Sequence, residues 1–190
     1  MSDASPWTDR EFTGRDFRDE DFSRLRTERV VFDECDFSGA NFAESQHHGS
    51  AFRNCRFERT SLWHSEFYQC SMLGSLFSRC RMRPLILREV DFTLAALGGS
   101  DLRAVDLSDC RLREANLVEA DLRKAKLNGA DLTGARTVGT KLDEADLRGA
   151  RVDPTLWTTA SLDGARIDIA QAMAYAAAHG LRLDGEPDER

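Results

Sequence analysis

The 190-residue sequence predicts an all-β solenoid, and three observations predict it. A large side chain returns every fifth residue from Phe12 to Ile167 without a slip of phase; of these 32 centres 24 are Phe or Leu, and only Thr27, His47 and Thr137 are polar. Two residues before each centre, from Val30 onward, stands Ala, Ser, Cys, Thr or Val, with Leu85 the one large exception. Glycine falls on the last residue of the five at 14, 39, 49, 74, 99, 129, 134, 139, 149 and 164, ten of the thirteen glycines in one slot. Recurrence there marks a corner with backbone angles that side chains resist, as at the third residue of a type II turn. A period of five fits neither a helix at 3.6 nor a strand at 2, and sides this short bury their centres only by stacking.

Phrases such as ADLTG, ADLRG and CDFSG carry a resemblance to the pentapeptide repeat family. Longer segments, EFTGRDFRDEDFSRL (11–25), DFSGANFAESQHHGSAFRNC (36–55), TSLWHSEF (60–67) and VDPTLW (152–157), are similar to its MfpA-type members. The resemblance implies a right-handed quadrilateral β-helix with four pentapeptides, or twenty residues, per coil, hence about eight coils. It also implies a DNA-mimicking homodimer, joined through the carboxy-terminal end, that binds DNA gyrase. Inhibition or fluoroquinolone protection, and either gyrase subunit, are open under it. The alternative is a pentapeptide-repeat scaffold for another cytoplasmic protein.

The elements follow in order. Residues 1–9 read as an amino-terminal extension, 10–168 as the β-helix and 169–190 as a helix and tail that cap or dimerise. With twenty residues per coil, Thr27 and His47 share a face one coil apart; burying them unpartnered costs ~2–7 kcal/mol. The reading therefore expects a local distortion or hydrogen bonds shared between them or with backbone or water. In RMRPLILRE (81–89), Pro84 sits at a corner without an amide donor, which predicts a bulge or bend. Cys35, Cys55, Cys70, Cys80 and Cys110 all occupy the small slot and read as core packing. Cys35 and Cys55 are placed within disulfide reach, but a reducing cytosol disfavours the bond. After Ile167, Asp168 and Gln171 stand at capping-box spacing, alanines follow, and Gly180 supplies the stop; this predicts a helix over about 169–179. An exposed solenoid end needs a cover.

Composition bounds the function. No apolar run approaches eighteen residues and the start is polar and acidic, so the expectation is a cytoplasmic protein without a membrane span or signal peptide. His47, His48 and His64 lack metal-ligand spacing, no paired base and nucleophile stands at recognisable spacing, and a rod offers little concavity; neither metal, cofactor nor enzyme activity is expected. Eight coils at ~4.8 Å give a rod of about 38 Å and an end-to-end dimer of about 76 Å, which is duplex-like. Over that length DNA carries about 45 charges, whereas a dimer of this chain carries 2 × −7 = −14. Mimicry must therefore be local. The favoured cluster lies near the expected dimer seam: Asp131, Asp143, Glu144, Asp153 and Asp163. The alternative, at the amino end, is Asp16, Asp19, Glu20, Asp21, Asp33 and Glu34. Leu156, Trp157, Ile169, Met173 and Ala177 are the expected dimerisation residues. Residues 51–100 hold seven Arg against four acids, yet a net charge of −7 argues against direct nucleic-acid binding.

Overall fold

The computed structural model describes residues 6–182. Its strands are short: β1 Trp7–Thr8, β2 Glu11–Thr13, β3 Arg26–Glu28, β4 Val31–Asp33, β5 Gln46–His48, β6 Ala51–Arg53, β7 Arg56–Glu58, β8 Glu66–Tyr68, β9 Leu76–Ser78 and β10 Ile86–Arg88. All pairs are parallel. β1, β3, β5, β8 and β10 form one ladder, β2, β4 and β6 a second, and β7 with β9 part of a third. Single bridges from Asp16↔Asp36 to Asp146↔Arg166 continue these ladders and add a fourth, from Asp21↔Asn41 to Lys141↔Ser161. Pairing partners are twenty residues apart throughout, so residues 7–166 make eight coils with four faces. The first face holds residues 6–10 and their repeats; the second starts at 11, the third at 16 and the fourth at 21.

Each position of the five has its own job. The centres point inward: Phe32, Phe37, Phe52, Leu112, Leu122 and Leu147 are fully buried. Stacking at coil spacing sets ring against ring, with Phe32–Phe52 and Phe57–Phe77 parallel at 4.9 Å, in the range where aromatic pairs attract. The last position is the corner. From Asp9 to Gly164 it has positive φ everywhere except Pro84, Pro154 and Thr159, whether or not it is glycine. Nineteen non-glycine residues accept this costly left-handed geometry because neighbouring coils fix it; Arg24 and Lys124, for example, donate their amides to Ala43 O and Asp143 O of the next coil.

The first position explains the recurring Asp or Asn. Its carboxylate or amide oxygen accepts the amide of the residue two further on, as in Asp36 with Ser38, Asn41 with Ala43, Asp91 with Thr93 and Asp121 with Arg123. That amide has no ladder partner, so the side chain completes the backbone's hydrogen bonding.

Two kinds of corner occur. From Ala95 to Ala150 each is closed by a bond from the small residue's amide to the preceding centre's carbonyl, as from Ala125 N to Leu122 O. Several amino-terminal corners are open, and a side chain from the next coil fills them. Ser75 Oγ accepts from Cys55 N at 2.9 Å and donates to Phe52 O at 2.7 Å, bridging the two groups of one corner. The thiols of Cys35, Cys55, Cys70 and Cys80 similarly donate to the carbonyls of Phe12, Phe32, His47 and Phe57. All five cysteines are free thiols. Burial pushes Cys55 up to about 12 and Cys70 and Cys110 to about 11, which keeps them protonated and inert.

The polar centres are satisfied as expected. Thr27 Oγ1 lies 2.8 Å from His47 Nδ1 and 2.8 Å from Ser50 Oγ, and His47 Nε2 lies 2.9 Å from Ser45 Oγ. The imidazole stacks on Phe67 at 4.7 Å. Thr137 pairs with Thr159 at 2.9 Å. The irregularity at Pro84 is also present: among the described residues no bridge joins 81 to 101 or 86 to 106, while 71–91–111 and 76–96–116 are unbroken. Proline's fixed φ cannot follow the left-handed corner, and the coils part on the two faces that meet there.

Two boundaries differ from expectation. Pairing starts at Trp7, whose ring fills a centre 5.3 Å from Phe12, so the coil begins three residues before position 10; residues 1–5 and 183–190 lie outside the described residues. A helical turn, α1 (Pro154–Thr159), interrupts the last coil. Its signal was Pro154 at the first helical position, masked because Trp157 keeps the five-residue phase and stays buried.

Two outcomes test this packing. Leu122→Ala should cost ~2–5 kcal/mol, and Ser75→Ala, which strands an amide and a carbonyl, ~1–3 kcal/mol; denaturant melts that left either variant at wild-type stability would contradict the inward assignment. Burial holds the His47 imidazole down to about 3, against 6.5 ordinarily. Below pH 6.5 the unfolded chain therefore binds a proton that the folded chain refuses, and stability should fall by about 1.4 kcal/mol per unit as pH drops from 6.5 toward 3. Between pH 6 and 5, above the carboxylate range, His47→Phe should flatten that slope in urea melts; an equal slope in both proteins would refute it.

Candidate functional surface at the carboxy-terminal end

Helix α2 (Ile169–Ala178) closes the rod. Asp168 and Gln171 form the expected capping box: Asp168 Oδ1 accepts from Gln171 N at 2.9 Å and Gln171 Oε1 from Asp168 N at 3.0 Å. Gly180 follows with φ +74°, the predicted stop. The other end of Gln171 reaches the coil, where its buried Nε2 donates to Leu147 O (2.7 Å) and Ala150 O (2.9 Å). Asp168 Oδ2 accepts from Gly149 N at 2.9 Å, and these amides hold the Asp168 carboxyl below its ordinary range. The box that starts the helix thus also covers the edge of the last coil.

The helix leaves apolar surface outside. Ile169 is 83% exposed, Met173 48% and Leu181 62%, with Tyr175 and Ala177 also exposed. Beside it runs a groove of about 480 Å³ whose walls include Trp157, Leu162, Ile167 and Tyr175. Leu156 and Trp157 do not belong to the outer surface: both are buried within the chain, Trp157 edge-on to Tyr175 at 6.1 Å. The α1 turn carries both inward, so neither offers the outer apolar surface expected of it. Ile169, Met173 and Ala177 are accessible, and sequence reading missed Tyr175 and Leu181.

The seam acids do not form one patch. Asp131 and Asp153 lie on the second face, Asp143, Glu144 and Asp163 on the fourth, which is opposite. Asp131 is a first-position residue: Thr133 donates to it from N and Oγ1, and Arg113 and Arg151 stand 3.4 and 3.7 Å away. Burial works to raise its carboxyl, but those hydrogen bonds and arginines bring it below the ordinary value. Asp153 accepts from Gly134 N at 2.6 Å. On the fourth face, Asp143 accepts from Ser161 Oγ (2.7 Å) and Asp163 N (3.1 Å), Glu144 faces Lys124 at 3.4 Å, and Asp163 is exposed without an ion pair among the described residues. This triad is the part of the cluster that the fold brings together.

The amino-end group is also divided. Asp16 is clasped by Arg18 at 2.6 Å, which holds its carboxyl down to about 2, and Asp21 accepts from Ser23 N and Asn41 Nδ2. Asp16, Asp19 and Glu20 sit on the third face, Asp33 and Glu34 on the second, and Asp21 opens the fourth. Asp33 accepts from Asn54 Nδ2 at 3.2 Å.

Four ladders of five-residue sides around a stacked core, closed by one helix, define a pentapeptide-repeat β-helix, the architecture of the pentapeptide repeat family. Family models described as pentapeptide repeats match residues 32–76 and 100–136. Within the family the chain is similar to the pentapeptide repeat protein MfpA of Mycobacterium tuberculosis, 75% identical over 99 residues that cover 52% of this chain and 54% of that one. It is also similar to MfpA of Mycolicibacterium smegmatis, 70% identical over 63 residues, or 33% of each chain. The matched stretches thus span about half and a third of those relatives. Among solved structures, HetL, a pentapeptide repeat protein involved in heterocyst differentiation regulation from the cyanobacterium Nostoc, shares the fold with TM-score 0.64 and 18% identity over 84% of this chain and 86% of its own. Full-length QnrB1, a plasmid-mediated fluoroquinolone resistance protein, aligns with TM-score 0.60 and 18% identity over 90% of this chain and all of its own.

Proposed function

We propose that this chain binds DNA gyrase as a rod-shaped protein mimic of duplex DNA, paired two-fold through its carboxy-terminal end, and so modulates topoisomerase activity and its response to fluoroquinolones. The observation that carries the reading is the juxtaposition at that end: an exposed apolar helix face and, lining the groove beside it, Asp163, which bonds Asp143 next to Glu144. Burying Ile169, Met173, Tyr175 and Leu181 against a second copy removes apolar area from water. A two-fold contact doubles every patch near it, so the triad appears twice along a rod of duplex dimensions. A DNA-binding groove is basic, and complementary charge raises association rates most at low salt. The MfpA-type resemblance supplies the partner, and the fold shared with QnrB1 agrees with it. The work is binding rather than catalysis, and its place of action in this reading is the cytoplasm.

Titrating the protein into a gyrase supercoiling assay, with and without a fluoroquinolone, tests the reading. The wild-type chain should change supercoiling or drug-stabilised cleavage in a dose-dependent, salt-sensitive way. The Asp143→Asn, Glu144→Gln, Asp163→Asn variant keeps the Ser161 hydrogen-bond geometry while removing three charges, and should weaken the effect several-fold without lowering the melting temperature. Unchanged potency would remove the triad from the contact; no effect of the wild type would remove gyrase.

A further inference from the structure

The fourth face changes character between its third and sixth repeats. Residues 61–65, 81–85, 101–105 and 121–125 hold Arg81, Arg83, Arg103, Arg123 and Lys124 against Asp101 and Asp121, a net charge of +3 on a chain of −7. Arg83, Arg103 and Arg123 occupy the same position in successive coils, so their guanidinium groups form a column. Asp101 anchors Arg83 at 3.0 Å and Arg103 at 2.8 Å, and Asp121 anchors Arg123 at 2.6 Å. These contacts fix the groups in place and leave a cation excess facing solvent.

Apolar departures from the repeat collect at the same place. Trp63 stands in an outward slot, half-buried, with the Arg81 guanidinium 5.0 Å over its ring in cation–π geometry. Pro84 takes a corner, Leu85 replaces a small residue and is only half-buried, and Ile86 is 41% exposed. Here, too, the ladder is interrupted, and the parted coils leave a cleft of about 360 Å³ lined by Arg83, Pro84, Leu85, Arg103, Ala104 and Val105. Arg83 Nε, buried at its wall, has no hydrogen-bond partner among the described residues. The other large apolar exposures of the coils, Leu94 and Val138, lie on the second and third faces without such a setting. Trp and Arg around a desolvated pocket are the composition that dominates protein–protein contacts.

We propose that this patch docks an acidic segment of a partner protein, whose carboxylates meet the arginine column and whose apolar side chain enters the cleft beside Pro84 and Leu85. The sign of the charge decides the occupant. The basic groove of a DNA-handling enzyme is repelled here, so the patch is a second contact that stands whether or not gyrase is the partner of the carboxy-terminal end. The interleaved Asp101 and Asp121 fit discrete carboxylates better than the continuous negative backbone of a nucleic acid.

The test uses the full chain and a fluorescently labelled, blocked, glutamate-rich peptide with a central Leu-Phe pair, followed by anisotropy over a salt series. The peptide should bind and weaken as salt rises, and a matched lysine-rich peptide should not bind. Arg103→Gln with Arg123→Gln, and separately Trp63→Leu, should each weaken binding about tenfold, or ~1.4 kcal/mol, with unchanged melting; Arg81→Gln gives an independent check should Trp63→Leu unfold. Absent binding, equal binding to the variants, or displacement of the peptide by duplex DNA would each overturn the proposal.

Discussion

The twenty-residue register is the constraint on which the rest of the structure depends. Each coil donates amides to the next at fixed positions, and the chain turns through a left-handed corner every five residues except at Pro84, Pro154 and Thr159. Once that register is set, centres stack on centres and corners on corners, and the core becomes a column of like side chains rather than a mosaic. Polar residues then survive inside only where the column supplies partners, as Ser45, Thr27 and Ser50 do around His47. Departures have local causes too: proline at a corner cannot adopt the required angle, and the ladder parts there and nowhere near Leu122.

Most of this was legible in the sequence because each slot is filled by a narrow class of residue. The inward centres, the small slot, the positive-φ corner, the paired Thr27 and His47, the disturbance at Pro84 and the capping box of α2 all follow from spacing. The α1 turn was hidden, since Trp157 arrives on phase and stays inward whether its backbone is coil or helix. Trp7 is less visible because it stands on phase one step before Phe12 among the polar residues of SPWTDRE, which read as an extension. Spacing marks the small Ser and Cys residues only as interior packing, whereas several complete open corners of the preceding coil, a role set by the stacking of coils.

The surface was less legible, because one residue type serves two purposes. Asp16, Asp21, Asp121 and Asp131 look alike in sequence to any solvent-facing acid, yet each accepts a backbone amide of its own repeat, and neighbouring Arg or Asn side chains satisfy them further. Such charges belong to the fold. Among the described residues, acids at the third position and the corner of the coils accept no amide of their own repeat: Asp143 takes the amide of Asp163 in the next coil, and Glu144 faces Lys124. Nor does sequence proximity predict a patch: Asp131 and Asp143 are twelve residues apart and lie on opposite faces. Sorted this way, the fourth face is electrically divided, with arginines in the middle coils and carboxylates toward α2.

The most direct test of the register is a pair of internal deletions compared by thermal melting and far-ultraviolet circular dichroism. Removing residues 111–130 takes out one whole coil and joins Cys110 to Asp131, which occupies the same position as Arg111. Removing 111–128 instead joins Cys110 to Gly129 and leaves a two-residue remnant, so every later centre falls two residues out of the slot of the coil before it. The register account predicts a cooperative melt with retained β signal for the first and loss of cooperative unfolding for the second. Equal behaviour of the two deletions, or unfolding of the whole-coil deletion alone, would contradict it.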